Sequence, residues 1–217
     1  MMAEGKIQIS QKQIESRKGY HFVKRLLDIL LSATGLIVLS PLLALIAYKI
    51  KKEDGGPVFY KQVRVGKDGR HFEMYKFRSM VINADQLLDK LKGKNEVTGA
   101  MFKIKHDPRI TKTGSFIRKH SLDELPQLVN VFKGNMSLVG PRPPLPSEVE
   151  QYTDYDKQRL YVTPGCTGLW QATERNNVGF NKMVELDLKY IQHANLRYDF
   201  LIIWKTIAII FNPNSSY

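Results

Sequence analysis

Two adjacent carboxylates, Asp123 and Glu124, stand in the run His120-Ser121-Leu122-Asp123-Glu124-Leu125-Pro126. One reading is structural: Ser121 caps a helix by bonding the backbone near Glu124, and acids in a first turn favour the helix dipole. The other is chemical. Pro126 interrupts the turn and leaves both acids at a junction of coil and helix, with Arg118 and Lys119 close in sequence. A carboxylate held among backbone N–H groups beside cations can act as a nucleophile or hold a divalent cation next to phosphates. The residues alone leave both readings open.

Arg142 is flanked by Pro141, Pro143 and Pro144. Its backbone has little freedom, so the direction of its guanidinium is largely preset for a bidentate grip on phosphate oxygens. A structural arginine bonding local carbonyls is the alternative. Arg175, in Thr173-Glu174-Arg175-Asn176-Asn177, reads equally as a solvated surface charge. Asp199, near the start of an apolar helix, is explained by capping or dipole compensation. The nucleotide, zinc and hydrolase signatures G-x-x-x-x-G-K-[ST], G-x-G-x-x-G, H-E-x-x-H and G-x-S-x-G do not occur. The five histidines, at 21, 71, 106, 120 and 193, lack metal-ligand spacing.

These side chains need a scaffold, and 217 residues with 43% apolar content suffice for one compact domain with a core. Cys166 is the sole cysteine, which excludes an internal disulfide and a cysteine-rich zinc site. The net charge of +12 implies an anionic partner: nucleic acid, an acidic membrane surface or a phosphorylated substrate.

The 20 residues Ile29–Tyr48 carry no charge, and as one straight helix they would reach about 30 Å, enough to cross a bilayer. With 28 residues ahead of it and no small-residue cleavage site behind, this run is a poor signal peptide. Ser40–Pro41 divides it, since Pro41 cannot donate to the carbonyl of Ile37 and its ring clashes there. Neither half crosses alone. Lys24 and Arg25 before, and Lys49, Lys51 and Lys52 after, make both flanks basic. A spanning helix would show asymmetry, whereas a hairpin that enters one leaflet and returns would not. A kinked spanning helix and a buried core helix are the alternatives. Asp28 is expected at headgroup depth beside Arg25.

Residues 1–20 are polar and read as a mobile or surface-lying arm. Val58–Val65 and Arg70–Phe77 read as two strands around the turn 66–69. Lys61, Arg64, Lys76 and Arg78 lie on this hairpin. A helix is expected from Asn83 to about Leu91, then an irregular basic stretch with Met101, Phe102 and Ile104 as anchors. Asp107-Pro108-Arg109 is a turn, and Ser115 is expected to cap a short helix bearing Arg118 and Lys119. Further helices are expected over Pro126–Phe132, stopped by Gly134, over Ser147–Tyr161, over Phe180–Gln192 and over Leu196–Phe211. Trp204 and Lys205 suit a lipid interface for the last, which reads equally as an ordinary buried helix.

Several of these pieces occur in one order in a known family. Lys24-Arg25, Asp28 and Ser40-Pro41 are followed by Pro57–Gly66, Tyr75–Met80, Asp107–Gly114, Ile117–Lys119, Ser121–Leu128, Asn130–Pro143 and Pro164–Gln171. Over roughly residues 22–211 the chain resembles the bacterial sugar transferase family of single-membrane-segment polyprenyl-phosphate phosphoglycosyl transferases. The resemblance implies an α+β, mostly helical fold: a re-entrant membrane helix-hairpin, a small β-hairpin and several short amphipathic helices around a membrane-surface active site. It implies an N-terminal arm (1–21), a re-entrant helix broken at Ser40–Pro41 (22–52) and a cytoplasmic catalytic domain with interfacial helices (53–217). The protein would lie at the bacterial inner membrane, with that domain on the cytoplasmic face. With no bundle of spanning helices ahead of Lys24, the minimal catalytic form is expected.

By that resemblance Asp123 attacks the β-phosphorus of a UDP-sugar, forming a phosphosugar–aspartate ester and releasing UMP. Undecaprenyl phosphate then takes the sugar phosphate, the first membrane step of exopolysaccharide, capsule or glycan assembly. Glu124 completes the catalytic pair, and Mg²⁺, with Mn²⁺ as a substitute, sits at Asp123. Lys76 or Arg78, Arg118, Arg142 and Arg175 match basic positions around the phosphates, and Asp199 matches an acid near the site. UDP-glucose or UDP-galactose is favoured, with an N-acetylated or diamino sugar as the alternative. Membrane lipids and downstream glycosyltransferases are implied partners, a homodimer is left open, and nucleic acid is not expected. One departure stands out: where family members often have Asn-Gly-Arg, this chain has Thr173-Glu174-Arg175, so donor contacts in that loop are expected to differ. A membrane-tethered nucleic-acid binder and a non-catalytic assembly scaffold are the rivals. The first predicts no dependence on an acidic pair; intact Asp123, Glu124 and Arg142 weigh against the second.

Overall fold

The computed structural model describes residues 7–84, 86, 87, 104, 107–174 and 179–211. Its helices are α1 (Gln11–Glu15), α2 (Lys18–Val38), α3 (Ser40–Asp54), α4 (Lys112–Lys119), α5 (Gln127–Lys133), α6 (Pro146–Val149), α7 (Asp154–Lys157), α8 (Leu169–Thr173), α9 (Phe180–His193) and α10 (Leu196–Phe211). Among the described residues four strands accompany them: β1 (Phe59–Val65), β2 (His71–Phe77), β3 (Ser137–Val139) and β4 (Gly165–Thr167). The fold is mostly helical with a small hairpin, as expected. The hairpin turn closes with Asp68 and Gly69 at positive φ and Gly66 N donating to the Arg70 carbonyl at 2.7 Å.

By internal contacts the chain forms two compact units. One comprises residues 1–37, 62–74 and 127–217; the other comprises 38–61 and 75–126. In the smaller unit, α3 and α4 bury Ile46, Ile50 and Ile117 against Phe77 at the base of the hairpin. Glu53 on α3 accepts from the free N–H groups of Lys112 and Thr113 at 2.8 and 3.2 Å, satisfying the start of α4 from outside. The side-chain cap is Thr111, which accepts from Gly114 N at 2.9 Å, and not Ser115. Thr111 is the residue left extended by the Asp107–Arg109 turn, so the helix starts there, one turn early. Gly114 then lies so close to Ser79 that a Cβ would meet the Ser79 carbonyl oxygen at 1.9 Å. That approach locks α4 onto the chain leaving β2.

In the larger unit, α8, α9 and α10 bury Val184, Leu188, Ile191 and Ile202 with Val139 of β3. Full burial of such side chains stabilises by about 1.5–3 kcal/mol each. Strands β3 and β4 pair in parallel, Ser137 opposite Gly165 and Val139 opposite Thr167. Residues 7–20 do not lie loose, because Ile14 is buried in this core and Arg17 donates to the carbonyls of Ile191, Gln192 and Ala194. The expected helix over Ser147–Tyr161 is broken into α6, α7 and a 3-10 turn over Gln158–Tyr161. Thr153 is the reason: it forms a reciprocal capping box with Asp156 (2.9 and 3.3 Å), which starts a new helix. Asp28 also departs from expectation. It is buried, accepting from Ser137 Oγ (3.1 Å) and Leu138 N (2.9 Å), while Arg25 bonds the Val131 and Phe132 carbonyls ending α5.

No single helix among the described residues is long and apolar enough to cross a membrane. The pair α2 and α3 passes that test together, bent by 61° at the break. Pro41 sits in the first turn of α3, where its missing N–H costs nothing, and Leu43 N reaches back to the Leu39 carbonyl at 2.8 Å. On α2 the usual polarity is reversed. Asp28 and Ser32 are buried while Phe22, Leu26, Leu30, Leu31 and Ile37 are exposed. On α10, Phe200, Leu201 and Trp204 are likewise exposed, Trp204 at 71%. Such apolar patches mark a surface that meets something other than water.

Candidate active site

The acidic pair sits on a tight turn with a defined cause. Helix α4 ends at Lys119, His120 Nδ1 bonds the Phe116 carbonyl at 2.9 Å, and Ser121 takes a left-handed conformation, φ 55°. Left-handed backbone is costly for serine, and it reverses the chain into a 3-10 turn over Leu122–Glu124. The Ser121 side chain makes no capping bond there, so the capping-box reading fails: a box requires Ser121 in extended backbone. The turn carries two acids, and the Asp123 carboxylate accepts from its own backbone N–H. Leu122 anchors it on the core formed by Ile46, Ile50, Phe77 and Ile117.

Glu124 faces Lys76 of β2, Nζ to Oε1 at 2.6 Å. Asp123 differs from its neighbour. Removal from water pushes its carboxyl up to about 6; Lys76 and Arg118 oppose that shift and the Glu124 charge adds to it. A carboxyl group with weakened solvation, next to two cations, is poised for an anionic reaction partner. Arg118, half-buried in the last turn of α4, contributes its field without a fixed ion pair to Asp123. Arg78 is the alternative to Lys76 by sequence, but its guanidinium is engaged locally. It grips the Asp54 carboxylate with both terminal nitrogens and bonds the Pro57 and Met80 carbonyls at 2.6 and 3.0 Å. Lys76 is the cation of the two that meets the acidic pair.

Arg142 and Asp199 belong to the larger unit. Arg142 is exposed between Pro141, Pro143 and Pro144, all buried. Asp199 is buried and fully engaged, accepting from Tyr190 (2.7 Å), Lys24 (2.8 Å) and Tyr20 (2.9 Å). It ties α2, α9 and α10 together, which neither the capping nor the dipole reading anticipates. Arg175 lies outside the described residues, as do Met101 and Phe102. Sequence reasoning named Arg64 and the Asp107–Arg109 turn without anticipating their burial, and missed two pairings: Arg159–Asp187 at 2.7 Å and Asp107–Arg109 at 2.6 Å. The last was signalled by its i, i+2 spacing across Pro108; Arg159 and Asp187 are 28 positions apart and gave no signal.

Among the described residues no three His, Cys, Asp or Glu side chains gather as a metal cage. A magnesium ion takes only one or two carboxylates and fills its shell with phosphate oxygens and water, so Asp123 is the carboxylate that could offer it one, while Glu124 Oε1 is paired with Lys76.

The family model described as "Bacterial sugar transferase" matches residues 19–213. The chain belongs to the bacterial sugar transferase family. Among curated relatives it is 44% identical over 217 residues to the galactosyl transferase CpsE of Streptococcus agalactiae, covering 93% of this chain and 48% of that protein. It is 44% identical over 206 residues to the undecaprenyl-phosphate galactose phosphotransferase of Salmonella typhimurium (93% and 43%). It is 41% identical over 198 residues to the exopolysaccharide production protein ExoY of Sinorhizobium fredii (89% and 88%). The chain thus spans about half the length of the first two and most of the third.

Proposed function

We propose that this sugar transferase moves a sugar 1-phosphate from a UDP-sugar to undecaprenyl phosphate, using Asp123 as nucleophile. The observation that carries the reading is the Ser121–Glu124 turn: Ser121 makes no side-chain capping bond in it, and it holds a poorly solvated carboxyl group in the field of Lys76 and Arg118. A carboxylate oxygen of Asp123 attacks the β-phosphorus, the bond to the α–β bridging oxygen breaks, and UMP leaves with that electron pair. An oxygen of undecaprenyl phosphate then attacks the same phosphorus, returning Asp123 as a free carboxylate. Lys76 pairs with Glu124, and Arg118 offsets charge on the phosphates, a part that the resemblance also implies for Arg142. A magnesium ion would be held at Asp123, where it would supply charge neutralisation to the diphosphate.

The membrane arrangement we infer is a hairpin that enters and returns. The break at Pro41, the basic residues on both flanks and the outward apolar side of α2 support it. Both flanks and the acidic turn then lie on the cytoplasmic side of the inner membrane, where UDP-sugars are made. UDP-galactose and UDP-glucose are the donors we favour, the former because relatives are named for galactose. Assay of UMP release with a panel of UDP-sugars, Mg²⁺ and undecaprenyl phosphate tests the proposal. Release with a hexose donor is expected; release only with an N-acetylated donor would reassign the sugar, and none with any donor would end the reading.

A further inference from the structure

The segment Pro141–Pro144 is held in an unusual way. Three of its four residues are prolines and cannot donate, so its backbone is fixed through its carbonyls. Each of the four accepts one hydrogen bond from elsewhere in the larger unit. Gly165 N donates to Pro141 O at 2.9 Å and Val65 N to Pro144 O at 3.0 Å. The two inner carbonyls are met by arginines: Arg159 Nη2 donates to Arg142 O at 3.4 Å, and Arg64 Nη1 to Pro143 O at 3.0 Å. Both arginines are buried, 3% and 6% exposed.

Burying a guanidinium is costly unless its charge is met. Arg159 is met by Asp187, which is wholly buried and accepts from Nε at 2.8 Å and Nη2 at 2.7 Å. Tyr152 takes a third bond from the same guanidinium. A carbonyl needs no cation to be satisfied; a backbone N–H or water does that at less cost. What the charged donors add is rigidity in the one stretch whose sole exposed side chain is Arg142.

We propose that Arg64 and the Arg159–Asp187 pair are positioning residues that preset the Arg142 guanidinium for a phosphate of the substrate. The inference rests on the reading of Arg142 given above. A misplacement of about 1 Å in a positioned group costs up to roughly 100-fold in rate, so loss of either clamp is expected to lower kcat/KM for the UDP-sugar by about 10-fold or more.

The test is a double-mutant cycle. Arg64→Gln removes one clamp. Arg159→Met combined with Asp187→Leu removes the other and leaves no unpaired buried charge. Each is measured alone and with Arg142→Ala, which by itself should cost about 100-fold, and melting midpoints establish that every variant is folded. Both clamp variants should lose activity alone but lose no more than about twofold further once Arg142 is gone, because positioning acts through that side chain. Arg64→Lys, which keeps a donor, should recover part of the loss. Equal losses in both backgrounds, or no loss alone, would overturn the proposal. If the double replacement melts below the assay temperature, the Arg64→Gln cycle decides, since it leaves the ion pair intact. Should Arg142→Ala have no effect, the phosphate role of Arg142 fails instead, a separate result.

Discussion

A nucleophile held out of water should destabilise the protein that carries it, and Asp123 allows this to be measured. Its carboxyl sits at about 6 in the fold against 3.8 ordinarily. Between those values the folded chain keeps a proton that the unfolded chain has released, so stability falls as pH rises through that window. The penalty is complete above about pH 6. At 1.36 kcal/mol per pKa unit, the shift has a ceiling of about 3 kcal/mol. Asp123 is only partly buried, and solvent screening brings the expectation to about 1–2 kcal/mol. Asp123→Asn removes the charge at nearly constant shape. In chelated buffer at pH 7.5 it should raise the melting temperature by about 3–6 °C, taking about 2–4 °C per kcal/mol for a chain of this size. At pH 4.5 part of the unfavourable ionisation is absent, and the gain should shrink to about a third to a half. A variant no more stable than wild type at pH 7.5, or equally stabilised at both pH values, would refute the account of a desolvated carboxyl.

Three other perturbations separate the parts of the account. Lys76→Met leaves Glu124 without its 2.6 Å partner and should cost about 100-fold in kcat with a far-UV spectrum unchanged, as loss of a fixed charge at a reaction centre does. Asp199→Ala strands Lys24 and two tyrosine hydroxyls inside the larger unit, and a denaturation midpoint should register about 3 kcal/mol of lost stability. Single cysteines at Gly19 and Gly55 in a Cys166→Ser background should both react with an impermeant maleimide in inside-out vesicles and neither in right-side-out ones. Labelling of the two from opposite sides would establish a spanning helix.

The sequence carried local order well and long-range order poorly. Pro41 and the glycines around the hairpin turn act on their own neighbours, so the break between α2 and α3 and the β1–β2 pair were readable. Leu196–Phe211 was bounded correctly by its apolar run. The parallel β3–β4 pair was not, because three-residue strands show no alternation and their pairing spans an intervening 25 residues of chain. Ser121 misled for a similar reason. Its serine-to-glutamate spacing matches a capping box, but the end of α4 drives Ser121 into left-handed backbone and the box cannot form. Buried partners such as Lys24–Asp199 and Arg159–Asp187 join distant stretches, and no local signal announces them. For Asp123 the structure shows only that Ser121 makes no capping bond; the chemical role is the one proposed above.

The central claim is that Asp123 becomes covalently bonded to the transferred phosphosugar. Intact-mass and peptide mass spectrometry of the protein incubated with UDP-galactose or UDP-glucose and Mg²⁺, with no lipid acceptor, tests it directly. The account predicts release of about one UMP per active site and a hexose-phosphate adduct on the peptide containing Asp123, absent in Asp123→Asn and discharged by undecaprenyl phosphate. Turnover to lipid-linked product that survives in Asp123→Asn, or UMP formed only when the acceptor is present and with no adduct, would contradict it.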